Sequence, residues 1–223
     1  MVERFLKAKH WQIFLVGLII PFAAQMILFG ILAFQMTTLQ EAEDPSLAIF
    51  SGTIIGAFSI LIIVSLISSF VLYGWMYSVG VGLKDYLPEG VHTRTKFFVF
   101  CLLFPIAYLF LFMFFYIQTF SSIFEGVAMG SPEPFVGGFF GMFFLIIPLH
   151  LFAMFCGIYV LRFVAKILKS VQLRRRARFN DYIGYFFLVW FYPIGIWILQ
   201  PEINKIVSGD TSERVNYSGV LDA

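Results

Sequence analysis

The sequence predicts an all-α protein, a polytopic transmembrane helix bundle of about five apolar segments with proline-kinked helices. Three observations predict it. Of 223 residues, 60% are hydrophobic and 13% charged, where a soluble domain carries about 45–50% apolar and about 25% charged residues. Mean hydropathy is +0.89. The uncharged runs exceed the roughly 20 residues that cross a bilayer as a helix. These values exclude a soluble globular domain, a disordered chain, a nucleic-acid binder and a disulfide scaffold. Barrel strands are excluded as well, because each is a stretch of about 10 residues of alternating polarity, whereas these runs are continuous and longer.

Residues 1–10 form a basic N-terminus containing Arg4, Lys7 and Lys9. The apolar run 11–34 follows, and it exceeds the roughly 7–15 residues of a secretory signal core. It is therefore expected to be a retained first span. An acidic connection with Glu41, Glu43 and Asp44 leads to the uncharged stretch 45–83. As one straight helix that stretch would be about 58 Å long, against a hydrocarbon core of about 30 Å. The second span is placed near 49–77, with Gly74, Gly80 and Gly82 loosening its end. A charged loop, 84–96, turns at Pro88-Glu89-Gly90. The third span is 97–120. A second acidic connection, 121–135, precedes the fourth span, 136–164. A basic segment then carries Arg174, Arg175, Arg176 and Arg178. The last apolar stretch is 182–199, and a polar, mobile tail is expected over 204–223. The bundle 11–203 is one unit with no internal repeat.

Pro193 and Gly195 lie within 182–199. A full span would put the tail outside. A re-entrant hairpin would return it inside, and such backbone survives at membrane depth only where protein buries it. The expectation is a full span.

Lys and Arg in short loops stay cytoplasmic. Thirteen of the fifteen basic residues lie in the N-terminus, in 84–96 and in 162–178. These segments are expected inside and both acidic connections outside.

The stretch Asn180-Asp181-Tyr182-Ile183-Gly184-Tyr185-Phe186-Phe187-Leu188 is followed by Trp190-Phe191-Tyr192-Pro193-Ile194-Gly195-Ile196-Trp197-Ile198-Leu199-Gln200-Pro201, then Ile203-Asn204. This ending resembles that of a family of uncharacterised small bacterial polytopic inner-membrane proteins. The resemblance covers about a tenth of the chain. It implies a multi-pass protein of the bacterial inner (cytoplasmic) membrane and no particular activity.

Few residues are candidates for chemistry. Pro21, Pro105, Pro148 and Pro193 each lack an N–H, and so free the carbonyls of Gly17, Cys101, Phe144 and Val189. Unwound backbone can line a solute or ion site, and the plainer outcome is that neighbours re-satisfy it. Histidine is the side chain that ordinarily changes charge near neutral pH, and His150 is expected near mid-bilayer. It shares a helical face with Ile146, Ala153 and Gly157, so it is expected to point into the bundle, with Gln25 as a candidate partner. Tyr108 belongs to a stripe of Cys101, Pro105, Tyr108, Phe112, Tyr116 and Thr119, read as a groove or a helix contact. His150, Gln25 and Tyr108 are the candidate intramembrane polar site. Cys101 and Cys156 read as small apolar fillers. Gly52-x-x-x-Gly56 and Ser59 read as a packing face, with Ser65, Ser68 and Ser69 on roughly the opposite side. Arg174, Arg175, Arg176 and Arg178 are candidates for contact with lipid headgroups or a partner.

Neither a metal-ligand spacing nor a nucleotide loop is found, and no metal or cofactor is expected. Asp85, Glu89 and His92 share one loop and make at most a weak site. The function read from these residues is that of a non-enzymatic accessory or scaffold protein of the inner membrane. Its partners would be membrane lipids or another membrane protein, not nucleic acid. The alternative is a small-solute transporter or channel subunit with a site around His150 and the proline kinks.

Overall fold

The computed structural model describes residues 2–41, 47–129 and 133–209, and among them there is no strand. Helix α1 is Val2–Lys7 and α2 is His10–Phe14. Between them Lys9 is extended, and its N–H is capped by the Gln12 side chain at 2.9 Å. A π-helical turn, Leu15–Ile19, carries α2 into α3, Ile20–Glu41. Helix α4 is Leu47–Gly82 and closes in a 3-10 turn, Leu83–Tyr86. Helices α5, Thr95–Met129, and α6, Glu133–Leu173, follow as an antiparallel pair, then α7, Phe179–Trp190, and α8, Tyr192–Ser208.

Among the described residues four stretches are long and apolar enough to cross a bilayer: His10–Gln35, Ile63–Tyr86, Thr95–Phe115 and Phe144–Leu173. No more than a third of each is buried within the protein. Helices so apolar and so little covered by protein fit a multi-pass membrane protein, in which lipid covers the remainder.

The fifth expected span is not a span. Helix α7 has 12 residues, about 18 Å at 1.5 Å per residue, and falls short of the roughly 30 Å core. The chain leaves helical geometry at Phe191 (φ −86°, ψ 57°) and restarts with Pro193 in the first turn of α8. A proline ring inside a helix clashes with the carbonyl four residues back, whereas in the first turn its missing N–H costs nothing. Pro193 therefore starts a helix and does not kink one. The two helices close on each other at Gly195, where a Cβ would fall 1.7 Å from the Leu188 carbonyl oxygen. Only glycine admits that backbone approach.

This hairpin brings α8 back against α1 and α2. Residues 200–208 are helical, Gln200 and Ile203 are fully buried, and this stretch lies at the same end of the molecule as α1. The expected placement of the tail on the opposite side required an unbroken helix through 182–199. The packed helix also runs past 204, where mobility was expected. Residues 210–223 lie outside the described ones.

The glycines of α4 do not loosen it either. The helix is continuous to Gly82. At Gly80 a Cβ would fall 2.4 Å from the Phe98 ring of α5, and at Gly82 it would meet Leu6 and Val2 of α1 at 2.7 Å. These positions are docking points. Phe98 is wholly buried and stacks on Phe163 of α6 with centroids 4.3 Å apart.

Among the described residues the core lies at this basic end. Trp75, Val79, Leu83, Phe98, Val164, Leu168, Ile196 and Leu199 are completely buried. Toward the far end, side chains such as Phe110, Phe114, Phe144 and Leu151 are exposed to between 57% and 83%, as lipid-facing residues are.

Candidate functional site

The expected intramembrane polar site is only partly assembled. Tyr108 Oη and His150 Nδ1 are 3.2 Å apart across the α5–α6 seam. No hydrogen bond joins Gln25 to either residue. His150 is exposed rather than directed into the bundle, and a Cβ on Gly157 would meet nothing within 4 Å. The face of Ile146, His150, Ala153 and Gly157 therefore carries no helix packed at Gly157. The stripe on α5 is a helix contact: Cys101 is buried, as is Cys156 of α6, and Tyr108 meets His150. The side chains of Tyr116, Thr119, Gly52, Gly56 and Ser59 lie outside the described residues.

Of the freed carbonyls, that of Gly17 finds a partner. Pro21 cannot donate to it, and Ser68 Oγ of α4 donates instead at 2.6 Å. The π-turn over Leu15–Ile19 sits at this point, where the regular ladder is interrupted. Ser65 and Ser69 are exposed. Among the described residues no three His, Cys, Asp or Glu side chains converge as metal ligands would. Asp85 and Glu89 are exposed, and the His92 ring is 3.3 Å from the Gly90 carbonyl.

The most developed site lies where α6 passes into α7. Arg174 has a left-handed backbone (φ 50°) and turns the chain out of α6. Ser170 Oγ donates to the Lys166 carbonyl at 2.7 Å and accepts the Ala177 N–H at 3.0 Å. That bridge, with Ala177 buried, folds the arginine segment back over α6. Asp181 then caps α7. Its carboxylate accepts the Arg178 N–H at 2.8 Å and takes both Arg175 guanidinium nitrogens at 2.9 and 3.2 Å. The Arg175 hydrogen bond, followed by the Arg178 N–H, holds this carboxyl below its ordinary value of 3.8. A lowered value means that the charged cap favours the fold above the ordinary carboxylate range. Its contribution disappears as pH falls through the lowered value.

The refolded segment encloses an open hollow of about 670 Å³, lined by Arg162, Lys166, Arg175, Arg176, Ala177, Arg178, Phe179 and Tyr182. Arg162 Nε donates to Tyr182 Oη at 2.9 Å, which fixes the guanidinium. A smaller hollow of about 180 Å³ adjoins it and is lined by His92, Thr93, Arg94, Tyr159, Phe163 and Ser170 among others. Arg162, Lys166 and Arg176 line both. Six Lys and Arg side chains thus surround one concavity. Among the described residues the carboxylate paired with them is Asp181.

Arginine forks in a concave, partly apolar wall bind phosphate through paired charge-assisted hydrogen bonds. Of the four expected arginines, Arg175, Arg176 and Arg178 line the hollow. Arg174 makes the turn and does not line it. Arg94, Arg162, Lys166 and Tyr182 were missed. The available signal was the i, i+4 spacing of Arg162 and Lys166, which puts both on one face of α6.

No family model, curated protein or solved structure matches this chain.

A second polar junction, also missed, holds the floor of the basic end. Gln200 accepts the Trp75 indole N–H at 2.8 Å. Its amide nitrogen lies 3.0, 3.3 and 2.9 Å from the carbonyls of Phe5, Leu6 and Ala8, and 3.0 Å from Asn204 Oδ1. Two amide hydrogens are shared among these acceptors, which include carbonyls that the end of α1 leaves unpaired. Nearby, Glu202 accepts from Gln172 at 2.7 Å and from Tyr185 at 2.8 Å, joining α6, α7 and α8. Burial, then Glu202, pushes the Tyr185 hydroxyl up to about 12, so it stays a donor at physiological pH. These groups do not line the hollow.

Proposed function

We propose that the protein is a non-enzymatic accessory protein of the bacterial inner membrane that holds an anionic phosphate headgroup at its basic end. The observation that carries this reading is the concavity of Arg94, Arg162, Lys166, Arg175, Arg176 and Arg178, with Asp181 as its paired carboxylate. The charge distribution supports a cytoplasmic basic end, because Lys and Arg are retained on that side. With α1 and residues 200–208 at one end, both would face the cytoplasm. The hollow then opens at the anionic leaflet, where each cation contributes about 1 kcal/mol. The resemblance of the 180–204 segment to small inner-membrane proteins supports the same location. A scaffold role follows from the same contact, because a held headgroup fixes the bundle's depth and leaves its apolar flanks open to partner helices.

The test is lipid retention by the full chain in mixed micelles, read by native mass spectrometry. Phosphatidylglycerol is expected to bind in preference to phosphatidylcholine. The double variant Arg162→Gln/Arg176→Gln is expected to lower that preference about thirtyfold, the equivalent of two cations at about 1 kcal/mol each. Equal retention of the two lipids by the unaltered protein, or an unchanged preference in a variant that melts normally, would refute the reading.

A further inference from the structure

We infer that the hollow is bipartite and takes a lipid with two phosphodiesters rather than one, an inference that rests on the headgroup reading above. The first ground is the division of the cations. The larger hollow adds Arg175 and Arg178 to the shared Arg162, Lys166 and Arg176, and the smaller one adds Arg94 to the same three. The shared residues form a wall between two subsites, each with cations of its own.

The second ground is charge balance. Arg175 is already engaged by Asp181. That leaves Arg94, Arg162, Lys166, Arg176 and Arg178 without a paired carboxylate among the described residues. A single phosphodiester carries one negative charge and two free oxygens. It would offset only part of the like charge that these mostly exposed cations place around one hollow. Two phosphodiesters on one molecule, seated on either side of the shared wall, compensate the charge better. They also gain from the second contact being intramolecular. Basic pockets between membrane helices on the cytoplasmic side are a recurrent setting for such headgroups.

The third ground fixes the source of the phosphate as a lipid. Tyr159, in the wall of the smaller hollow, begins a run of exposed rings along the α5–α6 seam. Phe97 meets Tyr159 edge-on at 4.8 Å, and Phe155 lies 6.4 Å from it. Phe100 continues from Phe97 at 6.2 Å, and Phe152 from Phe155 at 6.1 Å. These four phenylalanines are 37% to 51% exposed. An apolar track leading from a phosphate site toward the far end of the bundle suits acyl chains and offers nothing to a soluble diphosphate.

The experiment uses the full chain in mixed micelles with tetraoleoyl cardiolipin as the probe, competed against dioleoyl phosphatidylglycerol and against inorganic pyrophosphate. Cardiolipin is expected to outcompete phosphatidylglycerol at least tenfold at equal phosphate. Arg94→Gln and Arg178→Gln, one from each subsite, should each reduce that ratio about fivefold, the effect of one cation. Arg4→Gln, an exposed residue that lines neither hollow, should leave it unchanged. Normal melting of each variant confirms that the fold persists. If cardiolipin gains no advantage while phosphatidylglycerol still exceeds phosphatidylcholine, the bipartite site is overturned and the headgroup reading stands. If neither anionic lipid exceeds phosphatidylcholine, both fall. If pyrophosphate competes as well as cardiolipin, the lipid assignment is overturned.

Discussion

Gln200 is fully buried and satisfies groups from three parts of the chain: the Trp75 indole, the α1 carbonyls and Asn204. Stranding a buried donor or acceptor costs about 1–3 kcal/mol. Gln200→Ala strands the indole N–H and removes the amide that serves the Phe5, Leu6 and Ala8 carbonyls. Asn204, which donates to the Ala8 carbonyl at 3.1 Å, compensates only in part. The expected loss is about 4 kcal/mol of stability, measured by thermal unfolding in detergent. A loss below about 1 kcal/mol would show that the junction is not a structural hub. Gln200→Glu should do no better, since a carboxylate accepts from the indole but donates nothing to the carbonyls. Ser68 shows the opposite case of legibility. Pro21 announces a freed Gly17 carbonyl from the sequence, and only the identity of its donor waited on the structure.

At the level of elements, the break between α7 and α8 decides the topology, and it depends on one close approach. The Leu188 carbonyl lies where a side chain at 195 would begin. Since the obstruction is backbone, no rotamer change relieves it. Gly195→Ala should therefore cost about 3 kcal/mol, the upper end for overpacking, and the hairpin should open first. Faster hydrogen exchange over 186–200, with the α5–α6 pair unchanged, is the expected reading; uniform exchange would count against it. Pro193 and Gly195 were visible in the sequence as a possible interruption. Their effect was not, because a proline well inside an apolar run equally suits a kinked span. Local pattern cannot tell whether protein is present to bury a re-entrant turn. Here Tyr192 is buried, set edge-on to Trp75 of α4 at 5.6 Å, while Trp190, Phe191 and Ile194 at the turn are exposed.

At the scale of the whole molecule, the buried residues among those described gather at the basic end, and side chains farther along the spans are exposed as lipid-facing ones are. The hairpin gives this arrangement a topological consequence that can be measured. Lys7→Cys and Ser208→Cys, both exposed, should react with a membrane-impermeant thiol reagent from the same side. Cys101 and Cys156 are fully buried and should stay silent. Labelling from opposite faces would show that 182–199 crosses the bilayer after all. If that shared side is cytoplasmic, as proposed from the distribution of Lys and Arg, both positions should be protected in intact cells and exposed in inverted vesicles.

Composition alone determined that this chain forms apolar helices suited to lipid. Transfer of apolar side chains out of water is summed residue by residue and needs no particular partner. Basic residues could likewise be counted loop by loop. Tertiary structure decided the rest: the end of the helix at Phe191, the return of α8 to α1, and the gathering of Arg94 with Arg162 and Arg176 around one hollow. Each of these requires side chains distant in sequence to meet, and neither periodicity nor hydropathy records which helices will be neighbours.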